Sequence, residues 1–345
     1  MPEPLSYKGA GVDIDKASET KREMAGSLKS NDRRVLNQLG AFASLYDACF
    51  DEYEHPVLVL KTEEPGSKQK LSFKFGRVEQ ICYDMINHLV NDIIVMGAKP
   101  LAVQDAIICD KIEKDTVKRI VATIAQACKD QDCSLTGGET SEQPGVVEPG
   151  TYILTSSIVG IVEKSKIIDG SAIVEGDTVL AIASNGLHTN GYTLVRALMN
   201  DHPDITELQV DEESFIDTIL RPHKCYHHSL KGLFHLPQLH GMAHITGGGI
   251  QDNLCRILPE DVQAVIDLAR IRIPPVFKII RNKGNVTDTD MLRTFNIGVG
   301  MVAVIDASAA ESVQSHLARH NCESYAIGHI EEGNGKVTFR GTLNW

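Results

Sequence analysis

The sequence predicts an α/β (α+β) fold of two domains, each a sheet covered by helices. The chain has 345 residues, of which 42% are hydrophobic, enough to build two cores. From His55 onward, apolar runs of strand length alternate with amphipathic helical runs, and the alternation restarts near Gly170. These observations predict one domain over residues 1–169 and a second over residues 170–345.

The first domain is expected to begin with an extended or mobile arm containing one short helix, because its first forty residues lack periodicity. The strands expected after it are HPVLVLKT, LAVQDAIIC and YILTSSIVGIV. The expected helices are VEQICYDMINHLVNDIIVMG, which Gly97 and Pro100 would end, and DTVKRIVATIAQACKD.

The second domain repeats this alternation. Its expected strands are VEGDTVLAIAS, VQAVIDL, GVGMVAVID, ESYAIGHI and KVTF, and its clearest helices are YTLVRALMN and ESVQSHLARH. Two segments, SNGLHTNG and HITGGG, link a strand to a helix through glycines. Such turns let the backbone approach an anion at the helix N-terminus, so phosphate binding competes with a plain tight turn as their interpretation.

The composition excludes several classes of function. A net charge of −12 argues against nucleic acid as a partner. No membrane-spanning run and no signal-peptide core occur in the sequence, which predicts a cytoplasmic protein without membrane contact. The eight cysteines lack CxxC spacing, so core thiols are favoured over a zinc or redox site.

Polar residues follow one face of the long helix expected in the first domain. Asp84, His88, Asn91 and Asp92 are spaced by three or four residues, so they share that face. The alternative is that this face is simply exposed to solvent. Solvated helix faces normally use better helix formers than Asp and Asn, so we favour a stripe that faces a ligand.

Carboxylates elsewhere in the first domain extend this pattern. Asp105 lies within an apolar strand, where a carboxylate is costly unless it is paired or bound to a metal. With Glu63, Asp84 and Glu139 it supplies the hard oxygen ligands that Mg²⁺ prefers. Glu139 belongs to LTGGETSEQPG, which is expected to be a glycine-rich loop and either a simple turn or a binding loop.

Seven collinear motifs resemble the phosphoribosylformylglycinamidine cyclo-ligase family, also called the aminoimidazole ribonucleotide synthetases. They are LSYKGAGVDID, VND with MGAKP, GGETSEQPG, VEKSKIIDG, SNGLHTNGYTLVR, HITGGG and RTFNIGVGM. The resemblance implies a two-domain synthetase-like fold that is neither Rossmann nor P-loop, in a homodimer. It also implies that formylglycinamidine ribonucleotide and ATP, with Mg²⁺, give aminoimidazole ribonucleotide, ADP and phosphate in purine biosynthesis.

The resemblance also implies which residues of this chain form the site, because each motif matches a motif of the family. The candidate catalytic residues are Lys68, Asp84 and His188. The ATP-binding residues would be Lys8, Glu63, Gly66, Ser67, Lys68, Asn91, Asp92, Gly137, Gly138, Glu139 and Thr140. The residues that bind the ribonucleotide substrate would be Ser184, Asn185, His188, Asn190, Gly247, Gly248, Gly249, Arg293 and Asn296. The metal ligands would be Glu63, Asp84, Asp105 and Glu139.

The chain departs from the family pattern on the nucleotide side. The family loop TDGVGTK reads TEEPGSK here, and Ile153 stands where an aspartate is often found. A second carboxylate, Glu64, would repel polyphosphate unless a cation offsets it. Three functions therefore stay open: a divergent cyclo-ligase, a paralogue that binds nucleotide without turnover, and a related kinase or synthetase. The absence of a reactive cysteine in the N-terminal arm argues against selenophosphate synthesis.

Overall fold

A computed structural model describes Glu19, residues 32–37 and residues 42–345. Most of the expected N-terminal arm, including Lys8, lies outside the described residues. The chain forms two compact units. One holds the described residues up to Val90 together with Pro100–Ile161, and the other holds Asn91–Lys99 and Val162–Trp345. The main division falls just before the joint expected near residues 164–174.

The first unit is built on a four-stranded sheet. Its strands are β1 (Pro56–Glu63), β2 (Lys99–Cys109), β3 (Ser134–Glu142) and β4 (Tyr152–Glu163), in the order β1-β4-β2-β3. Its helices are α1 (Lys68–Lys74), α2 (Val78–Ile94), whose last four residues belong to the second unit, and α3 (Lys114–Asp130). The apolar periodicity of α2 is confirmed, because Ile81, Met85, Leu89 and Ile93 are all fully buried.

One face of this sheet differs sharply from the other. Side chains alternate between the two faces of a strand. Val103, Asp105 and Ile107 of β2 are buried, whereas Leu58 and Leu60 of β1 are 56% and 69% exposed. In the described part of the chain, the sheet is therefore packed on one side and open on the other.

The segment expected to be a glycine-rich loop is a strand. Residues from Ser134 to Glu142 form β3, which pairs in parallel with β2 in a register that sets Asp105 opposite Gly138. The loop expectation for LTGGET is wrong because pairing with β2 outweighs the low strand propensity of glycine.

The second unit contains a six-stranded sheet. Its strands are β5 (Thr178–Ala183), β8 (Leu239–His244), β9 (Val262–Asp267), β10 (Val299–Ile305), β11 (Ser324–Glu332) and β12 (Val337–Arg340), in the order β12-β9-β11-β5-β10-β8. A separate hairpin pairs β6 (Gln209–Val210) with β7 (Glu213–Ser214). Antiparallel pairing dominates the large sheet, and only β12 is recorded as parallel to its neighbour β9.

Helices of the second unit connect these strands. They are α4 (Tyr192–Asp201), α5 (Phe215–Ile219), α6 (His227–Leu230), α7 (Gly249–Leu254), α8 (Pro275–Gly284), α9 (Asp288–Thr294) and α10 (Ala310–Arg319). Both expected strand-turn-helix units are confirmed: β5 leads to α4 through residues 184–191, and β8 leads to α7 through residues 245–248.

Two properties of the whole chain bear on its class. All eight cysteines are free and five of them are buried, while Cys49 and Cys255 are exposed and Cys225 is intermediate. The core-thiol interpretation therefore holds for most of them. Among the described residues, no helix combines the length and apolarity needed to cross a bilayer.

Candidate functional site

A fully buried ion pair joins α1 to α2. Lys68 Nζ lies 2.8 Å from each carboxylate oxygen of Asp84, and both side chains are 0% exposed. Burial lowers the pKa of the Lys68 ammonium, and the Asp84 carboxylate partly offsets that effect. Since neither group reaches solvent, the pair fixes the start of α1, and with it the preceding loop, against α2.

The loop TEEPGSK separates its two glutamates. The Glu63 carboxylate lies 3.1 Å from Lys61 Nζ and 3.8 Å from His88 Nε2. Glu64 is exposed, so its charge is screened by water. The turn continues through Gly66, whose φ of 59° is left-handed, to Ser67 at the N-terminus of α1. Only Glu63 points toward other charged groups of the first unit.

The four predicted metal ligands are not brought together. Asp105 faces the packed side of the sheet, and a Cβ on Gly138 opposite would collide with its carboxylate. Glu139 pairs with Ala106 and therefore projects to the open side, because successive side chains alternate. Burial raises the pKa of Asp105 to about 7. One cation cannot take both Asp105 and Glu139 as ligands.

Two polar residues lie near Glu139: Thr140, which follows it in β3, and Ser44, which approaches β3 from another segment. The Thr140 amide donates to Glu139 Oε1 over 2.9 Å. The backbone beside Gly137 is approached by Ser44, whose hydroxyl donates to the Thr136 carbonyl over 2.7 Å. Glu139 and Ser44 therefore lie on the open side of the sheet, whereas Thr140, which pairs with Ile107, turns its side chain to the packed side.

The polar residues in the last turn of α2 form hydrogen bonds with residues of the second unit. Asn91 donates to the Lys224 carbonyl over 2.8 Å and accepts from the Tyr226 amide over 2.9 Å. Asp92 Oδ1 lies 2.7 Å from His244 Nδ1. Asn91 therefore holds a backbone turn of the second unit, and Asp92 orients an imidazole.

The predicted substrate-binding residues come from segments that meet in the second unit. Ser184 donates to the Gly186 carbonyl over 3.0 Å and to Asn296 Oδ1 over 3.1 Å. The Asn296 amide donates to the same Gly186 carbonyl over 2.9 Å. Asn185 donates to the Pro222 carbonyl over 2.8 Å. Asn296 thus ties the SNGLHTNG turn to the RTFN segment.

The GGG turn joins this assembly. A Cβ on Gly249 would collide with the Leu292 carbonyl, and one on Gly247 would lie 3.3 Å from Asn190 Nδ2. The Gly248 amide donates to the Arg293 carbonyl over 2.9 Å, while the Arg293 side chain is exposed. Turn geometry therefore accounts for Gly248 and Gly249, and a ligand role for this segment stays a prediction.

Three buried histidines cluster beside these turns. His188, His223 and His244 each place a ring nitrogen within 4.8 Å of the others. Of these, sequence reasoning singled out only His188. His223 stands in RPHKCYHH, a segment with no periodicity or spacing that could have signalled it, and His244 was quoted only as part of a glycine motif.

Comparison with known proteins places this fold in a class. The model of the AIR synthase related protein N-terminal domain matches residues 47–162, and the C-terminal domain model matches residues 174–340. Among solved structures, Escherichia coli HypE has a TM-score of 0.70 at 16% identity, covering 94% of both chains. HypE in complex with ATP has a TM-score of 0.63 at 14% identity, covering 93% of this chain and 88% of that one. The chain is thus a two-domain AIR synthase related protein.

Curated relatives identify the family more narrowly. The phosphoribosylformylglycinamidine cyclo-ligase of Brevibacillus brevis is 36% identical over 349 aligned residues, covering 99% of both chains. That of Carboxydothermus hydrogenoformans is 38% identical over 339, covering 97% of this chain and 98% of the relative. The chain belongs to the phosphoribosylformylglycinamidine cyclo-ligase family.

Proposed function

We propose that this chain catalyses the ATP-dependent closure of formylglycinamidine ribonucleotide to aminoimidazole ribonucleotide in purine biosynthesis. The observation that carries the proposal is the match to relatives of that name along both chains almost from end to end. In this reaction the γ-phosphoryl group passes to the amide oxygen and leaves ADP. The amidine nitrogen then bonds to the amide carbon, and the carbon–oxygen bond breaks to release phosphate.

We assign ATP to the first unit. The ATP complex of a fold neighbour supports nucleotide binding by this architecture. Lys68 and Asp84 are positioning residues in this assignment, because their buried pair holds α1 and the TEEPGSK loop in place. The loop, the exposed Glu139 and the adjoining Thr140 of the same strand would contact the nucleotide.

Magnesium is assigned to Glu63. Proteins usually hold Mg²⁺ through one or two carboxylates completed by phosphate oxygens and water. The Glu63 side chain is 25% exposed, whereas Asp84 and Asp105 are buried. The residues present therefore fit a site of few protein ligands, not the four-carboxylate site expected from sequence. When bound, the ion would neutralise charge on the transferred phosphoryl group.

The ribonucleotide is assigned to the joined turns of the second unit. Ser184, Asn190 and Asn296 offer hydroxyl and amide groups there, and the exposed Arg293 offers a guanidinium for phosphate. His188 is the candidate acceptor for the proton released on ring closure. Unchanged turnover in His188→Ala would remove that role.

We further propose a homodimer formed through the open face of the first sheet. Leu58 and Leu60 are 56% and 69% exposed on that face, and a second copy would cover them. Leu60→Asp should convert a dimer to a monomer in analytical ultracentrifugation. Val174→Asp changes another residue that is 54% exposed, in the second unit, and should not. A monomeric wild-type chain would refute the proposal.

The test of function is to measure aminoimidazole ribonucleotide and ADP together after adding substrate, ATP and Mg²⁺. Equal amounts of both products are expected. Glu63→Gln should lower turnover about 10-fold or more, since it weakens the hold on the Mg²⁺ ion that would neutralise charge on the phosphoryl group. Glu64→Gln is the matched control and should retain activity, because Glu64 is exposed.

Two other results would favour a function other than the cyclo-ligase reaction. ADP without the imidazole product would favour a kinase-like relative. Nucleotide binding by a folded chain without either product would favour the paralogue that has lost turnover.

A further inference from the structure

We propose that His188, His223 and His244 form a binding site for a divalent transition metal of the Zn²⁺ type. The inference goes beyond the proposed function, in which no step requires such a metal, and an ion bound to His188 would take the place of the proton-acceptor role assigned to that residue above. The three imidazoles are 3%, 1% and 6% exposed, and their ring nitrogens lie within 4.8 Å of one another. Imidazole is a preferred ligand of zinc, copper and nickel, but not of Mg²⁺.

The distance between His223 and His244 suits a shared ion. His223 Nε2 lies 3.0 Å from His244 Nε2. Two nitrogens bound to tetrahedral zinc at about 2.0–2.1 Å are separated by about 3.4 Å. The rings of His188 and His223 stack at 3.9 Å between centroids with 22° between their planes, so their in-plane lone pairs run nearly parallel, and the His188 ring has to turn about its side-chain bonds to ligate the same ion. If the Nε2 atoms of His223 and His244 moved apart by a few tenths of an ångström, an ion could bind between them.

Two of the imidazoles are oriented as metal ligands usually are. His244 Nδ1 lies 2.7 Å from the Asp92 carboxylate, so Nδ1 carries the proton and Nε2 has its lone pair turned to the cluster. His223 Nδ1 lies 3.4 Å from Thr189 Oγ1. A carboxylate or hydroxyl behind a ligating histidine fixes its tautomer and raises its basicity.

His223 and His244 can bind an ion as neutral imidazoles without releasing a proton. Because Nε2 of His244 is a lone-pair acceptor, His223 Nε2 donates across the 3.0 Å contact when no metal is present. On binding, this proton moves to His223 Nδ1, where Thr189 accepts it. Both Nε2 atoms then ligate the ion without net proton release, and the Asp92 carboxylate offsets part of its charge.

The backbone presents His188 to the cluster. Its φ of 63° is left-handed, which is rare for a residue other than glycine and commonly marks a functional position. Gly300 on β10 leaves room for the ring, since a Cβ there would lie 2.7 Å from His188 Cε1. With three protein ligands, the ion would keep an open fourth position.

The experiment uses the full chain and the metal alone. Chelator-treated protein is titrated with Co²⁺ and Zn²⁺, and the zinc-loaded protein is examined by X-ray absorption. We expect one ion per chain, the visible spectrum of tetrahedral Co²⁺, and nitrogen scatterers at about 2.0–2.1 Å from zinc. Sulfur at about 2.3 Å would indicate cysteine ligands and overturn the proposal.

Variants provide an independent test. His223→Asn should weaken metal binding at least about 100-fold, and Thr189→Val should weaken it about 10-fold. His329→Asn, at an exposed histidine of β11, is the matched control and should bind as the wild type does. Equal affinity in wild type and His223→Asn would overturn the site. If His223→Asn does not fold, the X-ray absorption result and Thr189→Val decide the question.

Discussion

Replacing Lys68 by methionine should reveal the energetic cost of a buried Asp84 carboxylate that has lost the positive charge of Lys68. Methionine has a similar length, so little packing volume is lost. Asp84, which is 0% exposed, would have to take up a proton to stay in the core. For a carboxyl with an ordinary pKa near 3.9, that costs about 4 kcal/mol at pH 7, at about 1.4 kcal/mol per pH unit. The value agrees with the roughly 3–5 kcal/mol expected on breaking a buried pair.

The pH dependence separates this mechanism from a simple packing defect. In the variant, Asp84 is protonated when folded and ionised when unfolded, so stability falls as pH rises above about 4. Urea unfolding should therefore show a loss of about 4 kcal/mol at pH 7 but only about 1.5 kcal/mol at pH 5. The double variant Lys68→Met, Asp84→Leu should recover most of the loss, because no charge remains buried. An equal loss at both pH values, or a double variant as unstable as the sum of the single variants, would refute the reasoning.

Two further predictions concern stability. The pKa of Asp105 is raised to about 7, so the folded state keeps a proton that the unfolded state loses. Stability should therefore fall as pH rises from about 4 to 7, by about 4 kcal/mol in total, and Asp105→Asn should abolish that fall in thermal unfolding. Gly249→Ala should cost at least about 2 kcal/mol, because φ is +64° and the Leu292 carbonyl occupies the space of a Cβ. Gly145→Ala, with φ of +79° in open space, should cost only about 1 kcal/mol. Equal costs at the two glycines would contradict this explanation.

Much of the fold follows from local patterns. The apolar spacing of Ile81, Met85 and Leu89 predicts α2 because a helix brings every third or fourth residue to one face, and those residues are buried. Glycines at the ends of strands predict the turns before α4 and α7. Family motifs predict membership because they recur in order along the chain.

The candidate site required more than local pattern. The spacing along α2 predicts a shared polar face, but not that Asp84 pairs with Lys68 while Asp92 meets His244. The carboxylates expected around one ion were separated by the alternation of side chains in a register that only strand pairing could set. Glycine composition predicted a loop at Gly138, where a strand needs glycine to clear Asp105.

The sequence by itself determined the element order, the two-domain organisation and the family, because short-range periodicity and motif order are encoded in neighbouring residues. The tertiary structure alone decided which distant side chains share a site. His223 has no local signal and becomes one of three clustered imidazoles only because the turns before α4 and α6 and the end of β8 meet. Contacts across such sequence separations depend on packing and strand register, which no short segment specifies.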